Sequence, residues 1–239
     1  MASPLNDIDV VVLAGGLGTR LRSVLPDAPK VLAPVRGRPF LDHLLDALAA
    51  RGFRRAVLSI GYKADMVEEH LRHRPPPLPA VTIAEPEPLG TGGAVRFVAS
   101  AVETDPVLVI NGDTWVEVDF QAFLAAHRAS GAMLSTLCVR VDDTARFGRI
   151  DVNAAGRITR FAEKDPDRSG PGLINGGAYL LSRAALDTLA VMTGPSLESD
   201  FLACLPPGTI HAFIPETVSF IDIGTPETLA GAGAVIPGI

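Results

Sequence analysis

The chain has 239 residues, of which 47% are hydrophobic, and it carries a formal net charge of −6. This acidic balance excludes a broad nucleic-acid-binding surface, because such a surface needs many cations on one face. The N-terminus lacks the basic region of a signal peptide, and every apolar run is far shorter than the roughly 20 residues of a membrane-spanning helix. We therefore expect a cytoplasmic protein that binds neither nucleic acid nor membrane, with its two cysteines, Cys138 and Cys204, in the core.

Apolar, β-branched runs recur through the first half of the chain and predict strands at 9–14, 55–61, 80–85 and 106–112. Their nearly continuous apolar character is typical of parallel strands that are covered on both faces. Between the first two runs, apolar residues spaced three and four apart predict a helix over 39–52. Strands that alternate with helices predict a doubly wound α/β fold.

The second half predicts a helix over 119–131, a strand over 133–141 and then an antiparallel hairpin formed by 147–153 and 156–164. Three further segments predict a strand that runs into a helix, at 177–189, and two closing strands, at 209–215 and 218–224. A mixed sheet is therefore expected. The small apolar residues from Ala230 onward give no assignment, and His70 and His73 predict a solvated helix face rather than a zinc site.

A glycine-rich loop, LAGGLGTRL at 13–21, follows the first predicted strand. Its glycines let backbone amides approach anionic oxygens closely, and Arg20 can neutralise charge on a transferring phosphoryl group. The spacing excludes GxGxxG, because residue 21 is Leu, and GxxxxGK[ST] occurs nowhere in the chain. The loop predicts a triphosphate cradle, with a glycine turn needed only for packing as the alternative.

Two aspartates accompany apolar strands: Asp113 follows VLVING, and Asp222 lies within FIDIG. Open α/β sheets bind ligands at the carboxyl ends of their strands. Two carboxylates that the fold brings together can hold a Mg²⁺ ion that bridges phosphate oxygens. Either aspartate alone is equally compatible with a turn or a cap.

The motif LAGGLGTRL, followed by Lys30 in DAPKVLAPV, resembles the signature of the sugar-phosphate nucleotidyltransferases, also called NDP-sugar pyrophosphorylases. The resemblance implies a Rossmann-like doubly wound mixed sheet of the GT-A-like nucleotidyltransferase type. It implies a single domain over residues 1–239, with a nucleotide-binding half at 1–115 and a sugar-phosphate-binding half at 116–239. We expect such a domain to join a nucleoside triphosphate to a sugar 1-phosphate.

The resemblance also assigns site residues. It gives Arg20 and Lys30 catalytic roles on the phosphates and makes Asp113 and Asp222 the ligands of a Mg²⁺ cofactor. It implies that the nucleotide is bound by Leu13, Ala14, Gly15, Gly16, Gly18, Thr19, Glu85, Gly90 and Thr91. It implies that the sugar phosphate is bound by Gly148, Glu163, Lys164, Asn175 and Gly176. A solvated surface side chain is the alternative for Lys30.

Glu85 bears on the identity of the base, because the resembled family places its segment, AEPEPLGTGGAV, against the nucleobase. A carboxylate offers two acceptors, which match the N1 hydrogen and the exocyclic amino group of guanine. Uracil and thymine suit an amide better, so GTP is favoured. A helix-capping or solvated Glu85 is the alternative. The run SLESD, with Glu198 and Asp200, is either part of the sugar site or an ordinary helix start.

The implied reaction is an in-line attack of the sugar 1-phosphate on the α-phosphorus of the nucleoside triphosphate, which releases pyrophosphate. Within the family, LSIGYKADMVEEHL, LINGGAYLL and FIDIGTPE resemble the D-glycero-D-manno-heptose 1-phosphate guanylyltransferases of surface-polysaccharide synthesis. A mannose 1-phosphate guanylyltransferase and an N-acetylmuramate 1-phosphate uridylyltransferase are the alternatives. A non-catalytic nucleotide-sugar sensor is the alternative of another class. The oligomeric state stays open, with a homo-oligomer as one option.

Overall fold

The computed structural model describes residues 4–145, 147–162 and 170–237. Thirteen strands are found in these ranges: β1 Asp9–Ala14, β2 Pro34–Val35, β3 Arg38–Pro39, β4 Arg55–Ile60, β5 Ala80–Ala84, β6 Val107–Asn111, β7 Thr114–Glu117, β8 Leu134–Val141, β9 Arg149–Val152, β10 Ile158–Ala162, β11 Gly172–Leu181, β12 Ile210–Phe213 and β13 Ser219–Asp222. Six α-helices are found in the same ranges: α1 Phe40–Arg51, α2 Ala64–His73, α3 Gly90–Val98, α4 Phe120–Ser130, α5 Arg183–Ala190 and α6 Pro226–Val235.

Within the described residues, nine strands form one mixed sheet. Along its main path the order is β10-β9-β11-β6-β1-β4-β5, and β8 pairs with both β11 and β12. The strands β6, β1, β4 and β5 run parallel, whereas β11 pairs antiparallel with β6, β8 and β9. The sheet is therefore mixed, as the sequence predicts. The strands of the first half are parallel, and the pairings beyond β6 are antiparallel except that of β12 with β8, which is parallel.

Helices cover both faces of this sheet. In β1, Val10 and Val12 belong to one apolar core and Val11 to the other, because successive side chains of a strand point to opposite faces. Residues of α1, α2 and α4 fill the first core, and residues of α3, α5 and the segment 197–202 fill the second. The fold is thus doubly wound, and burial on both sides explains the nearly continuous apolar run of β1.

Local sequence signals account for the helix ends. Gly52 ends α1 in the left-handed region, with φ of 80°, and Gly131 ends α4 in the same way. Asp119 caps α4 by accepting hydrogen bonds from the backbone amides of Gln121 and Ala122. These caps explain why the predicted helix bounds agree with the structure to within a residue or two.

Three details differ from the sequence-based expectations. The segment after Ala230 completes α6, whose N-cap residue, Thr225, forms a capping box. Cys204 is exposed, whereas Cys138 is buried as expected. His70 is held against the buried Asp42, with 2.7 Å between Nε2 and Oδ1, so it does not belong to a solvated face. In the described part of the chain, no helix has the length and apolar character needed to cross a membrane.

Candidate active site

The loop after β1 runs between the carboxyl ends of two neighbouring strands, β4 and β6. The backbone amide of Tyr62 donates to Gly15 O at 3.2 Å, and that of Gly112 donates to Leu13 O at 2.9 Å. A Cβ atom built on Gly61 would lie 2.8 Å from Gly15 O, and one on Gly112 would lie 2.6 Å from Leu13 O. Glycines at the ends of both flanking strands therefore make room for the loop, a requirement that the sequence motif does not reveal.

Several of the predicted loop residues are open to a ligand, whereas Ala14 is buried. Gly16, Thr19 and Arg20 are exposed, and a Cβ atom on Gly16 would meet nothing within 4 Å. Gly18 adopts φ of 57°, and a Cβ atom there would lie 3.2 Å from the Lys30 Cβ. The glycine thus allows the turn and also lets Lys30 approach the loop closely.

Lys30 lies beside both predicted metal ligands. Its Nζ is 2.5 Å from Asp113 Oδ2 and 4.0 Å from Asp222 Oδ1, and its side chain is only 10% exposed. The two aspartates come together because β13 pairs antiparallel with β7, which sets Asp222 opposite Thr114. A solvated surface position for Lys30, the alternative left by the sequence, is therefore wrong.

Gly224 marks the point where the charged groups converge. Its backbone amide donates to Asp222 Oδ1. A Cβ atom built on Gly224 would lie 2.3 Å from Asp222 Oδ1, 3.1 Å from Arg20 Nη2 and 3.2 Å from Lys30 Nζ. The sequence-based reasoning missed this residue, although the glycine two positions after Asp222 in FIDIG was the available signal.

The paired carboxylates have the donor chemistry that Mg²⁺ requires. Mg²⁺ in phosphate-transfer sites is held by one or two carboxylates, with phosphates and water as its other ligands. A group of three or more His, Cys, Asp or Glu side chains suited to a metal does not occur among the described residues. Asp113 and Asp222 form a pair instead, and the ammonium of Lys30 already lies beside them as a positive charge. The residues therefore fit a two-carboxylate Mg²⁺ site completed by the substrates.

Glu85 lies against the start of the phosphate loop. A Cβ atom on Gly15 would lie 2.3 Å from Glu85 Oε1. The hydroxyl of Ser59 donates to Oε1 at 2.8 Å, and the backbone amide of Leu89 donates to Oε2 at 3.3 Å. The Leu89 contact is a local one of the kind expected for a cap. Since each carboxylate oxygen has two lone pairs, one of them on each oxygen is unused by these two contacts.

The helix α3 docks its first turn on a distant segment. The backbone amide of Gly92 donates to Pro195 O at 2.8 Å, and a Cβ atom on Gly90 would lie 2.5 Å from the same oxygen. The Thr91 hydroxyl donates to Glu198 Oε2 at 2.9 Å and accepts from the Leu197 amide at 2.8 Å. The predicted nucleotide residues Gly90 and Thr91 thus join the first half of the chain to the second.

A cavity of about 460 Å³ lies beside this junction. Its lining comprises Phe147, Gly148, Arg149, Ile150, Phe161, Ala162, Asn175, Glu198, Ser199 and Ala203. Two of the predicted sugar-binding residues, Gly148 and Asn175, are therefore brought together. Gly176 packs against Leu137 and Val139, where a Cβ atom would lie 3.0 Å from both side chains. The other two, Glu163 and Lys164, lie outside the described residues.

A smaller cavity of about 230 Å³ adjoins the charged groups and includes Arg20 and Asp222 in its lining. Phe147 lines both cavities and packs edge-on against Phe220, with 5.9 Å between the ring centroids. One aromatic side chain therefore separates the larger cavity from the smaller one that Arg20 and Asp222 line.

The run SLESD, at 196–200, serves both as a helix start and as part of the cavity lining, the two interpretations that the sequence left open. Ser196 caps a short π-helical turn, Leu197–Phe201, by accepting from the Ser199 amide at 3.1 Å. Asp200 accepts from the Ser196 amide at 2.8 Å, so it belongs to the helix start. Glu198, in contrast, lines the larger cavity.

Comparisons with known proteins identify the family. The family model described as "Nucleotidyl transferase" matches residues 9–234. The chain is similar to the mannose-1-phosphate guanylyltransferase of Mycobacterium tuberculosis, at 34% identity over 98% of this chain and just under two thirds, 66%, of the relative. It is also similar to the D-glycero-alpha-D-manno-heptose 1-phosphate guanylyltransferase of Aneurinibacillus thermoaerophilus, at 33% identity over 92% of this chain and 94% of the relative.

Among solved structures, HddC from Yersinia pseudotuberculosis complexed with GMP-PN shares the fold, with a TM-score of 0.83 and 37% identity. That comparison covers 95% of this chain and 98% of the other. A family model that spans nearly the whole chain, together with these relatives, assigns the family. The chain belongs to the nucleotidyl transferase family.

Proposed function

We propose that the protein transfers a guanylyl group from GTP to a sugar 1-phosphate, with D-glycero-D-manno-heptose 1-phosphate as the favoured acceptor, and releases pyrophosphate. The observation that carries this proposal is the convergence of Arg20, Lys30, Asp113 and Asp222 at the end of the glycine-rich loop. In this proposal residues 1–115 bind the nucleotide, and residues 116–239 bind the sugar phosphate in the adjoining cavity. We assign the activity to the cytoplasm, where nucleoside triphosphates are made.

The proposed step is an in-line attack by a phosphate oxygen of the sugar 1-phosphate on the α-phosphorus of GTP. The new P–O bond forms as the bond to the β-phosphate oxygen breaks, and the electron pair leaves with pyrophosphate. The attacking phosphate is already an anion, so no strong general base is required. The protein contributes position and charge: the exposed guanidinium of Arg20 and the ammonium of Lys30 neutralise the α-phosphoryl oxygens as charge develops.

Asp113 and Asp222 are the residues that would hold Mg²⁺. When bound, the ion would supply positive charge that offsets the negative charge of the phosphates. Lys30 would then exchange its contact with Asp113 for contacts with phosphate oxygens. This exchange keeps the two carboxylates compensated before and after the substrates arrive.

The preference for guanine rests on Glu85. Its unused lone pairs beside Gly15 suit the N1–H and amino group of guanine, which are two adjacent donors. The relatives support the same base, since both are named as guanylyltransferases and the HddC structure contains GMP-PN.

Mannose 1-phosphate is the second candidate acceptor. It is favoured by the name of the mycobacterial relative, whose identity to this chain equals that of the heptose enzyme to within one percentage point. Both sugars present ring hydroxyls to a pocket with amide and carboxylate groups, which is the chemistry of the larger cavity.

The proposal is tested by pyrophosphate release, with GTP, UTP, ATP and dTTP each combined with heptose, mannose, glucose and N-acetylmuramate 1-phosphates in the presence of Mg²⁺. We expect release with GTP and the heptose substrate to exceed every other combination. A preference for UTP would overturn the role of Glu85. Release from no combination would revive the non-catalytic sensor.

A further inference from the structure

A chain of hydrogen bonds behind the larger cavity is centred on a buried tyrosine. The side chain of Tyr179, in β11, is fully buried. Its hydroxyl oxygen accepts from Asn175 Nδ2 at 2.6 Å, and its hydroxyl hydrogen is donated to Glu198 Oε1 at 2.7 Å. One phenol therefore contacts both the amide and the carboxylate that line the cavity.

The amide of Asn175 has a defined orientation. Its Oδ1 accepts from the Gly177 backbone amide at 3.0 Å and from the Thr136 hydroxyl at 3.4 Å, while its Nδ2 donates to Tyr179. An amide nitrogen carries two hydrogens. One N–H of Asn175 thus has no acceptor among the described residues and can donate to a ligand in the cavity.

The carboxylate of Glu198 is fixed from two sides. Oε2 accepts from the hydroxyls of Thr91 at 2.9 Å and Ser196 at 3.3 Å, and Oε1 accepts from Tyr179. These contacts occupy both lone pairs of Oε2 and one of Oε1. Among the described residues, nothing contacts the second lone pair of Oε1, which lies beside the free N–H of Asn175.

The phenol suits this work because it stays protonated. Burial, and then the negative charge of Glu198, raise the pKa of Tyr179 well above its ordinary value. The hydroxyl therefore keeps the proton that it donates to Glu198. An aromatic ring inside the core also holds that hydroxyl in one place.

We propose that Tyr179 is a positioning residue of the sugar site, which holds the Asn175 amide and the Glu198 carboxylate so that one donor and one acceptor face two neighbouring hydroxyls of a pyranose. Glu198 thereby becomes a specificity-determining residue that accepts a hydrogen bond from one sugar hydroxyl. This inference rests on the proposed function and deepens it. The Thr91 contact also ties this pair to the helix that follows the base-binding loop.

The test measures steady-state pyrophosphate release with GTP and the preferred sugar 1-phosphate, and with a set of its mono-deoxy analogues. For Tyr179→Phe we expect the KM for the sugar phosphate to rise about tenfold while the KM for GTP changes less than about twofold. One mono-deoxy analogue should be a poorer substrate than the parent sugar phosphate for the wild type, because Glu198 loses its hydrogen-bond partner. For Tyr179→Phe, the same analogue should be no poorer than the parent sugar phosphate. Glu198→Gln should abolish discrimination at the same hydroxyl.

The exposed Glu68, in α2, provides a matched control, and Glu68→Gln should behave as the wild type. If Tyr179→Phe does not fold, Glu198→Gln carries the test. The inference is overturned if every deoxy analogue loses the same fraction of activity in the wild type and the variants. It is also overturned if the KM for the sugar phosphate and the KM for GTP rise equally. In either case the proposed function stands. A wild type that releases no pyrophosphate overturns the proposed function, and this inference with it.

Discussion

Asp113 and Asp222 share one counter-ion, the ammonium of Lys30, which lies 2.5 Å from Oδ2 of the first and 4.0 Å from Oδ1 of the second. All three side chains are at least two-thirds buried, so bulk water screens their charges only in part. The carboxylates therefore hold a cation before any substrate binds. Asp113 and Asp222 are the residues that would hold Mg²⁺, and with the ion in place the Lys30 ammonium would be free to contact phosphate oxygens instead.

The aspartates are the first target for mutation. Asp113→Asn and Asp222→Asn should each lower kcat by about 100-fold or more, because the amide removes a charge that holds Mg²⁺ and changes little else in shape. Pyrophosphate release measures the loss. Asp187→Asn, at an exposed position of α5, serves as the control and should retain full activity. Full activity in either of the two site variants would remove the metal proposal.

Lys30→Met keeps most of the side-chain length and removes the charge. We expect kcat to fall by about 100-fold, since a cation is lost from the transferring phosphoryl group. We also expect Mn²⁺ to bind the variant more tightly than the wild type when no nucleotide is present, because the competing ammonium is gone. Titration followed by electron paramagnetic resonance measures this affinity. Weaker Mn²⁺ binding than in the wild type would contradict the displacement of Lys30 by the metal.

Gly224→Ala places a methyl group where three charged side chains converge. Because the new Cβ would lie 2.3 Å from Asp222 Oδ1, we expect that carboxylate to move and kcat to fall by about tenfold or more. Gly231→Ala is the matched control, since Gly231 lies in α6 and a Cβ atom there meets nothing within 4 Å. The control should be as active as the wild type. Equal activities of the two variants would show that the space beside Gly224 does not matter to the charged side chains.

Glu85→Gln tests base recognition. An amide offers one donor and one acceptor in place of two acceptors, so kcat/KM for GTP should fall by about tenfold and the preference for GTP over UTP should narrow. Competition between the two triphosphates in one reaction measures the preference directly. An unchanged ratio would show that Glu85 only caps the local turn through Leu89.

A pair of histidines makes stability depend on pH. His127 and His211 both contact the Ser135 hydroxyl, at 2.8 Å and 3.2 Å. Burial, and then His211, lower the pKa of His127 from its ordinary value of 6.5 to about 4, against the opposing effect of Asp105. Between these two pH values the unfolded chain binds more protons than the native one, so stability falls as the pH drops from 6.5 toward 4.

Urea unfolding at pH 7.5 and at pH 5 measures this effect. The free energy of unfolding should fall between the two pH values by less in His127→Gln than in the wild type, because the group that titrates is gone. His73→Gln, at an exposed position of α2, should show the same fall as the wild type. An identical fall in all three proteins would exclude the histidine pair as the cause.

Strands with strong local signals were predictable from the residues themselves, whereas the pairing of Asp113 with Asp222 was expected only through the family resemblance. The run 9–14 matches β1 residue for residue, because burial on both faces leaves only apolar side chains there. In contrast, nothing local distinguishes the short strands β7 and β13 as partners. Their pairing depends on tertiary contacts, and it brings Asp222 beside Asp113.

The same limit applies within the site. The loop at 13–21, with Lys30, was found from sequence because its residue types follow a local pattern. The role of Gly224 depends on three side chains that arrive from separate elements, and that of Glu198 depends on Tyr179 and Thr91. Spacing along the chain carries no signal for contacts of this kind.

The single tryptophan of the chain, Trp115, lies in β7, opposite Ile221 of β13 and only two residues after Asp113. Its indole is almost fully buried. Because β7 and β13 are about a hundred residues apart along the chain, their pairing belongs among the slower steps of folding. The protein thus carries an intrinsic fluorophore at the strand pair that completes its catalytic centre, and its emission spectrum reports when that centre has formed.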